Sequence, residues 1–305
     1  MSDIGIIIVT YNSAAEIGAC LDAALASGAE TVVVDNASRD GTIAEVARRG
    51  VRLIANGENR GFAGAVNQGF AVLKSPYILL LNPDAVIRTS LEPLRQACDL
   101  PGSAGAGGQL VDATGQPQAG FMVRGLPSPA TLILEALLLN RIWPGNPVNR
   151  RYRCLDWDCS SRSMVEQPAG AFFMVRRAVW QELGGLDESF FPLWFEDVDF
   201  CRRIRDRGLS LYYIPEAVAK HTGGHSVPQL PLEMRLIYWY RGLIRYSAKH
   251  FRPLEFRAVC LAVVTGSFLR GIAESALHCS VKPMAAYGKV AGLVGRSLFL
   301  GFRAT

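Results

Sequence analysis

Four short apolar runs in the first third of the chain, each halted by polar residues, restrict the possible folds more than any other feature. They are IGIIIVTY at residues 4–11, TVVVDN at 31–36, VRLIAN at 51–56 and YILLLNPDA at 77–85. Between them lie stretches with helical spacing: Ser13 to Ala26, a segment opening near Ser38 to Thr42, and GFAGAVNQGFAVL from Gly61. Strand-length apolar runs separated by helices predict a parallel sheet covered on both faces. In such sheets ligands sit beyond the carboxyl ends of the strands. The residues standing there are Thr10-Tyr11-Asn12, Asp35-Asn36, Asn56 and Asn82-Pro83-Asp84.

The remainder is less regular. From Pro101 to Ser163 the sequence is rich in Gly, Pro and Arg, which predicts loops and short helices bordering a groove. PAGAFFMVRRAVW (168–180) resumes strand then helix, FEDVDFCRRIRDRG (195–208) reads as a helix stopped by Gly208, and LSLYYIP (209–215) is a further strand. HTGGHS (221–226) reads as a loop, and the pattern is helical from Pro231 onward. The expected division is a 1–230 domain, with halves 1–110 and 111–230, followed by a helical tail at 231–305.

Charge separates the same two parts. The chain carries a net +5, but Glu233–Thr305 alone carries +8 and the rest −3. A basic tail that is also strongly apolar predicts an anionic membrane surface rather than nucleic acid as partner. Arg241, Arg245 and Lys249 fall on one helical stripe near Tyr238, Trp239, Tyr240 and Tyr246. The alternative is that these helices cap the larger domain. The apolar run Ala258–Leu269 is too short to span a bilayer. Seven cysteines without a CxxC pair argue against a disulfide framework. The opening MSDIGIIIVTYNS has no charged leader region or cleavage site, so a cytoplasmic location is expected.

Three carboxylates interrupt the apolar stretch PLWFEDVDF (192–200). Burying a carboxylate is costly unless it is paired, binds metal or serves chemistry. Asp199 reaches Arg203 at i,i+4, which predicts an ion pair. Asp197 lies at the apolar-flanked helix start and suits a general base, with Glu196 sharing that role or binding an acceptor hydroxyl. Asp35 either caps the following helix or hydrogen-bonds a nucleotide base or ribose. Gly61 and Gly64 either permit close helix packing or let backbone approach a ligand. Asp84 suits a cation that bridges phosphates; His221 and His225 follow a later strand and could assist it.

Taken together, IIIVTYN, VVVDNAS, NRGFAGAVNQG, LLLNPDA, PAGAFFMVRR and FEDVDFCRRIRDRG resemble the family 2 glycosyltransferases over about Ile4 to His225. The NPD variant resembles the bacterial rhamnosyltransferase branch. The resemblance implies an α/β GT-A fold, Rossmann-like and mostly parallel, with a C-terminal helical extension. It also implies a nucleotide-diphosphate sugar donor and inversion at the anomeric carbon. By that likeness Thr10, Tyr11 and Asn12 line the nucleotide site and Asp35 bonds a pyrimidine base. Asn59, Gly61, Gly64 and Asn67 lie along the donor. Asn82 replaces the first acid of the family's Asp-x-Asp, so a divalent cation (Mg or Mn) rests on Asp84 with help from His221. Gly170, Ala171 and Trp194 border the acceptor, and Asp197 is the base. A polyprenyl-diphosphate-linked saccharide is the expected acceptor, placing the protein peripherally on the inner face of the plasma membrane. Two rivals are a non-catalytic nucleotide-sugar binder or membrane-recruited scaffold on the same fold, and a nucleotidyltransferase. The second lacks its phosphate loop, since TYNSAAEIG follows the first strand.

Overall fold

In the computed structural model, residues 3–223 and 230–300 are described, with side chains through residue 298. His225 lies outside them. The strands are β1 (Ile4–Thr10), β2 (Glu30–Asp35), β3 (Arg52–Ala55), β4 (Tyr77–Leu81), β5 (Ala85–Ile87), β6 (Ser103–Val111), β7 (Val123–Arg124), β8 (Ser163–Val165), β9 (Gln167–Pro168), β10 (Phe172–Arg176) and β11 (Ser210–His221). The helices begin with α1 (Ile17–Ala26), α2 (Thr42–Arg48), α3 (Gly61–Val72), α4 (Glu92–Cys98), α5 (Pro129–Ala136) and α6 (Leu139–Ile142). They continue with α7 (Pro147–Arg153), α8 (Arg177–Leu183), α9 (Glu196–Asp206), α10 (Leu232–His250), α11 (Pro253–Leu277) and α12 (Lys282–Leu300).

One nine-stranded sheet runs in the order β3-β2-β1-β4-β10-β6-β11-β5, with β8 also paired to β11. Strands β1 to β4 are parallel, as the alternating pattern requires. β10 enters antiparallel between β4 and β6, and β11 returns parallel to β6. The sheet is therefore mixed, and its parallel half is the one read directly from sequence. Ile6, Ile8, Val33, Leu79 and Leu81 pack with Ile17 and Leu21 of α1 on one face. Each such fully buried side chain contributes about 1.5–3 kcal/mol relative to exposure.

The expectation of loops and short helices from Pro101 to Ser163 is corrected at its start, where SAGAGGQLV forms the nine-residue strand β6. Glycine is depleted in strands, so this run carried no strand signal. Here the glycines are steric necessities. A Cβ on Gly105 would lie 2.3 Å from the Met174 carbonyl oxygen, and one on Gly107 2.4 Å from Pro168 Cβ. One on Gly108 would meet the Phe172 ring at 2.3 Å. β11 likewise runs past Pro215 to His221 by absorbing a register shift between Ile214 and Val218. Gly208 follows α9 with φ +72°, the left-handed stop its sequence predicts.

The chain forms two compact units. The first contains 1–126, 153–188 and 196–226, and holds the main sheet. The second contains 127–152, 189–195 and 227–305, so it takes in two segments that precede the expected boundary at 230. Within this second unit α11 packs against α5 and α12, and α10 against both α11 and α12. Ser128 caps α5 by accepting from Thr131 N–H, with Pro129 at the first helical position.

Two sequence readings of the tail change. Arg245, Tyr240 and Tyr246 are buried on α10, whereas Lys249 is exposed and Arg241, Tyr238 and Trp239 are half-buried, so only part of the expected basic and aromatic stripe faces outward. Also, α11 extends for 25 residues, long and apolar enough by length and composition to cross a membrane. The expectation of too short a span counted only the unbroken apolar run. One face of α11 (Val259, Cys260, Val263, Gly266, Ser267) is nevertheless buried. The seven cysteines, all among the described residues, are free.

Candidate active site

At the ends of β1 and β2 the polar residues bind one another. Asp35 is fully buried and accepts three hydrogen bonds: from Thr10 Oγ1 at 2.8 Å, Ser38 Oγ at 2.5 Å and Ser38 N–H at 2.9 Å. The Ser38 hydroxyl in turn accepts from Asn12 N–H at 2.8 Å, and Asn12 Oδ1 accepts from Arg39 N–H at 2.8 Å. Asn12 and Ala37 hold left-handed backbone, with φ of 52° and 63°. Tyr11 projects outward with 37% of its surface exposed. The result is a rigid polar shelf with one exposed aromatic ring. Sequence reading found Thr10, Asn12 and Asp35 but missed Ser38, which links them.

Next to it, Asn36 donates to the Gly61 carbonyl at 3.0 Å and accepts from Asn56 at 3.1 Å, while Asn56 and Gln68 exchange amide bonds at 2.9 and 3.0 Å. Asn59 Oδ1 takes the Gly61 N–H at 2.8 Å, occupying one donor at the start of α3. Asn67 turns elsewhere. Its amide donates to Leu186 O and Glu188 Oε1, both at 2.9 Å, and accepts from Leu186 N–H at 3.1 Å. Gly64 adjoins the same acid, since a Cβ there would sit 3.5 Å from Glu188 Oε2. Asn59 and Asn67 thus shape the α3 region through bonds within the chain.

The NPD turn is tied to the segment before β10. Asn82 N–H donates to Ala171 O at 3.0 Å, and Asn82 O accepts from Ala85 N–H at 3.0 Å. Asp84 follows, with its carboxylate Oδ1 3.4 Å from His221 Nε2. Burial pushes the Asp84 carboxyl up, but its bond to His221, that ring's charge and the N–H groups of Asp84 and Gly223 outweigh it, leaving it below the usual range. On the other side of the ring, Nδ1 lies 2.9 Å from Gln118 Oε1, and Gln118 Nε2 donates to the His221 carbonyl at 2.8 Å. Because a carbonyl only accepts, the Gln118 amide is oriented with its oxygen toward Nδ1, which must carry a hydrogen. Nε2 then faces the Asp84 carboxylate. A neutral ring would set a lone pair against a carboxylate, so the pair calls for a shared cation: a proton or a metal. Carboxylate plus imidazole suits a divalent ion such as Mn²⁺. Among the described residues no group of three or more His, Cys, Asp and Glu gathers, and Asp84 and His221 are the pair that meets here. Phe121 stacks on the ring at 5.2 Å and fixes its plane.

The third cluster is the start of α9. Asp199 is fully buried and accepts from Arg203 Nε at 2.8 Å; Arg203 also donates to Leu183 O and Gly185 O, each at 2.8 Å. The sequence-based ion pair is present, and it is more enclosed than spacing alone suggested. Glu196 is buried, and its Oε2 has no hydrogen-bond partner. Burial first, then the Asp197 charge, pushes its carboxyl well above the usual range. Asp197 is partly buried and accepts from Val198 N–H at 2.8 Å. Burial raises it too, and the Val198 N–H, the Arg124 charge and the Gly170 N–H only partly oppose that shift. Gly170 is close enough that a Cβ would lie 3.6 Å from Asp197 Oδ2. Asp197 and Gly170 therefore meet, and Ala171 links them through Asn82 to the NPD turn. Trp194 belongs to the second unit, where its ring meets Trp239 edge-on at 5.7 Å.

Glycosyl transferase family 2 matches residues 5–152, and glycosyltransferase like family 2 matches 150–235. The chain is 30% identical to the N-acetylglucosaminyl-diphospho-decaprenol L-rhamnosyltransferase of Mycobacterium tuberculosis over 246 residues, covering 74% of this chain and 78% of that one. It is 26% identical to a low-salt glycan biosynthesis hexosyltransferase of Haloferax volcanii, covering 69% and 64% of the two. In structure it resembles a mannosyltransferase from Pyrobaculum calidifontis solved with GDP-Man and Mn²⁺, with a TM-score of 0.52 at 18% identity over 97% of this chain and 81% of that one. That likeness covers the GT-A fold. By sequence the chain belongs to glycosyltransferase family 2.

Proposed function

We propose that the protein transfers a sugar, rhamnose or a related hexose, from a nucleotide-diphosphate donor to a polyprenyl-diphosphate-linked saccharide, with inversion, in cell-envelope polysaccharide synthesis. The observation that carries this reading is Asp197: a carboxylate raised by burial, held by backbone N–H groups and lying against Gly170. Asp197 takes the proton from an acceptor hydroxyl, whose oxygen attacks the anomeric carbon opposite the departing nucleoside diphosphate. One base and one displacement give inversion. Glu196, held toward its neutral form, donates a hydrogen bond to an acceptor oxygen. Gly170 and Ala171 border that acceptor. Thr10, Tyr11, Asn12 and Asp35 hold the nucleotide, and Asn59, Gly61, Gly64, Asn67 and Asn82 line the sugar-diphosphate path.

A divalent cation would be held by Asp84 and His221, where it would offset the negative charge of the leaving diphosphate. The lipid-linked acceptor is supported by the mycobacterial relative, which is named as an N-acetylglucosaminyl-diphospho-decaprenol L-rhamnosyltransferase. It accords with an outer stripe on α11: Leu254, Leu261, Phe268 and Ile272 are all exposed and recur at helical spacing. With the tail's net positive charge, this stripe supports a second unit that lies on an anionic membrane surface through α11. The protein is then cytoplasmic and peripheral, and nucleic acid is not its partner.

The test is a thermal-shift screen of nucleotide sugars with and without Mg²⁺ or Mn²⁺, followed by transfer assays with the donor found. Donor and cation should raise Tm together in the wild type, and the cation's contribution should vanish in Asp84→Ala. An undiminished cation effect in Asp84→Ala would refute the proposed cation site.

A further inference from the structure

The chain enters α9 from an unusual segment. Trp194 and Phe195, two consecutive bulky residues, both hold left-handed backbone, with φ of 76° and 72°. Side chains other than glycine avoid this region, and it persists only where the surroundings impose it. What imposes it is visible within the second unit, to which residues 189–195 belong. Trp239 of α10 packs on both rings, 5.7 Å from Trp194 and 5.1 Å from Phe195, and Tyr246 lies 5.8 Å from Phe195. One turn beyond Trp239, Gly242 lets the helix backbone approach the strap. A Cβ there would sit 2.9 Å from the Trp194 carbonyl oxygen and 3.0 Å from Phe195 Cδ2. The peptide bond after Phe195 leads directly to Glu196 and Asp197.

We propose that α10 is a positioning clamp for the base: Gly242 and Trp239 hold the Trp194–Phe195 strap left-handed and so fix where the Asp197 carboxylate stands. The inference rests on Asp197 being the base. It makes Gly242 and Trp239 positioning residues that touch no substrate. It also gives the C-terminal helices a part in turnover through the strap that continues into α9.

Gly242→Ala separates this clamp from a purely structural helix. If the contact is merely structural, Gly242→Ala lowers Tm, since its Cβ would meet the Trp194 carbonyl oxygen at 2.9 Å, and leaves transfer by the folded protein unaffected. If Gly242 is part of the clamp, kcat falls about tenfold or more while the KM for donor sugar holds, an estimate on the scale of misplaced catalytic groups. The acid limb of kcat against pH moves to lower pH as Asp197 leaves its enclosed setting. Hydrogen exchange at residues 195–199 speeds up while that of β2 does not. Normal kcat, an unmoved limb and unchanged exchange would overturn the proposal. Should Gly242→Ala not fold, Trp239→Phe and Trp239→Leu decide it: Phe should restore most of the turnover lost in Leu, and equal behaviour of the two would overturn the clamp. If the wild type proved to transfer no sugar, the functional reading would fall, and the exchange measurement would still decide whether α10 holds the strap.

Discussion

The shelf at the ends of β1 and β2 and the entrance to α9 both present carboxylates, yet they treat them oppositely. Asp35 is fully buried and satisfied by three hydrogen bonds from Thr10 and Ser38. Glu196 is also buried, but one of its oxygens has no partner, and both it and Asp197 are displaced upward by their surroundings. With three of its roughly four acceptor positions filled, the Asp35 carboxylate is held in fixed geometry. An under-bonded carboxylate in a dry setting keeps a strong appetite for a proton, which is what a base needs. On the proposed reading, nucleotide binding and proton transfer are divided between two electrostatic regimes in one unit.

The sharpest attack on this contrast is Asp197→Asn, which preserves shape but cannot accept a proton. Transfer at saturating donor should fall about a hundred- to ten-thousand-fold, with donor affinity nearly unchanged. In the wild type, kcat should rise with pH as Asp197 ionises, along a limb displaced above the ordinary aspartate range, because burial raises that carboxyl. A limb at the usual aspartate position would contradict the raised base. Next in size is Asp199→Asn, which strands the Arg203 guanidinium. Removing one member of a buried pair costs about 3–5 kcal/mol. Urea unfolding should register that loss, while folded molecules transfer sugar at close to the normal rate; a loss of turnover as large as that of Asp197→Asn would mean the roles of the two acids are reversed. The smallest effect belongs to Ser38→Ala. It removes one of Asp35's three bonds and leaves Asn12 N–H without its acceptor, costing about 1–2 kcal/mol. Donor binding, followed by titration with the nucleotide, should weaken, and the acid limb of kcat should not move. A shifted limb would show that the two regimes are coupled.

Much of this arrangement was legible from local pattern. β1, β2, β3 and β4 fall on the four apolar runs, and Asp35, Asp84 and Asp197 were singled out by where apolar stretches end or begin. The Asp199–Arg203 pair followed from helical spacing alone. What escaped depended on partners far away in sequence. Gln118, which orients His221, is 103 residues from it, and Asn67 reaches Leu186 across 119. The stripe Arg241–Arg245–Lys249 looked interfacial because periodicity reveals a common face without revealing what covers it. β6 escaped for the opposite reason: its residues have the weakest strand preference, and only the neighbours β10 and β11 make glycine necessary.

That strand has a consequence for how substitutions in this protein should be interpreted. At Gly105 even a methyl group would stand 2.3 Å from a main-chain oxygen that belongs to the sheet itself and cannot turn aside. Intolerance at such a position is imposed by packing, not by substrate, so a mutational scan would rank Gly105 beside Asp197 although the two fail for unrelated reasons. Loss of folded protein accompanies the first, and loss of turnover in intact protein the second. Intolerance to substitution, taken by itself, would draw the proposed site too large, extending it along a seam whose glycines are demanded by main-chain packing.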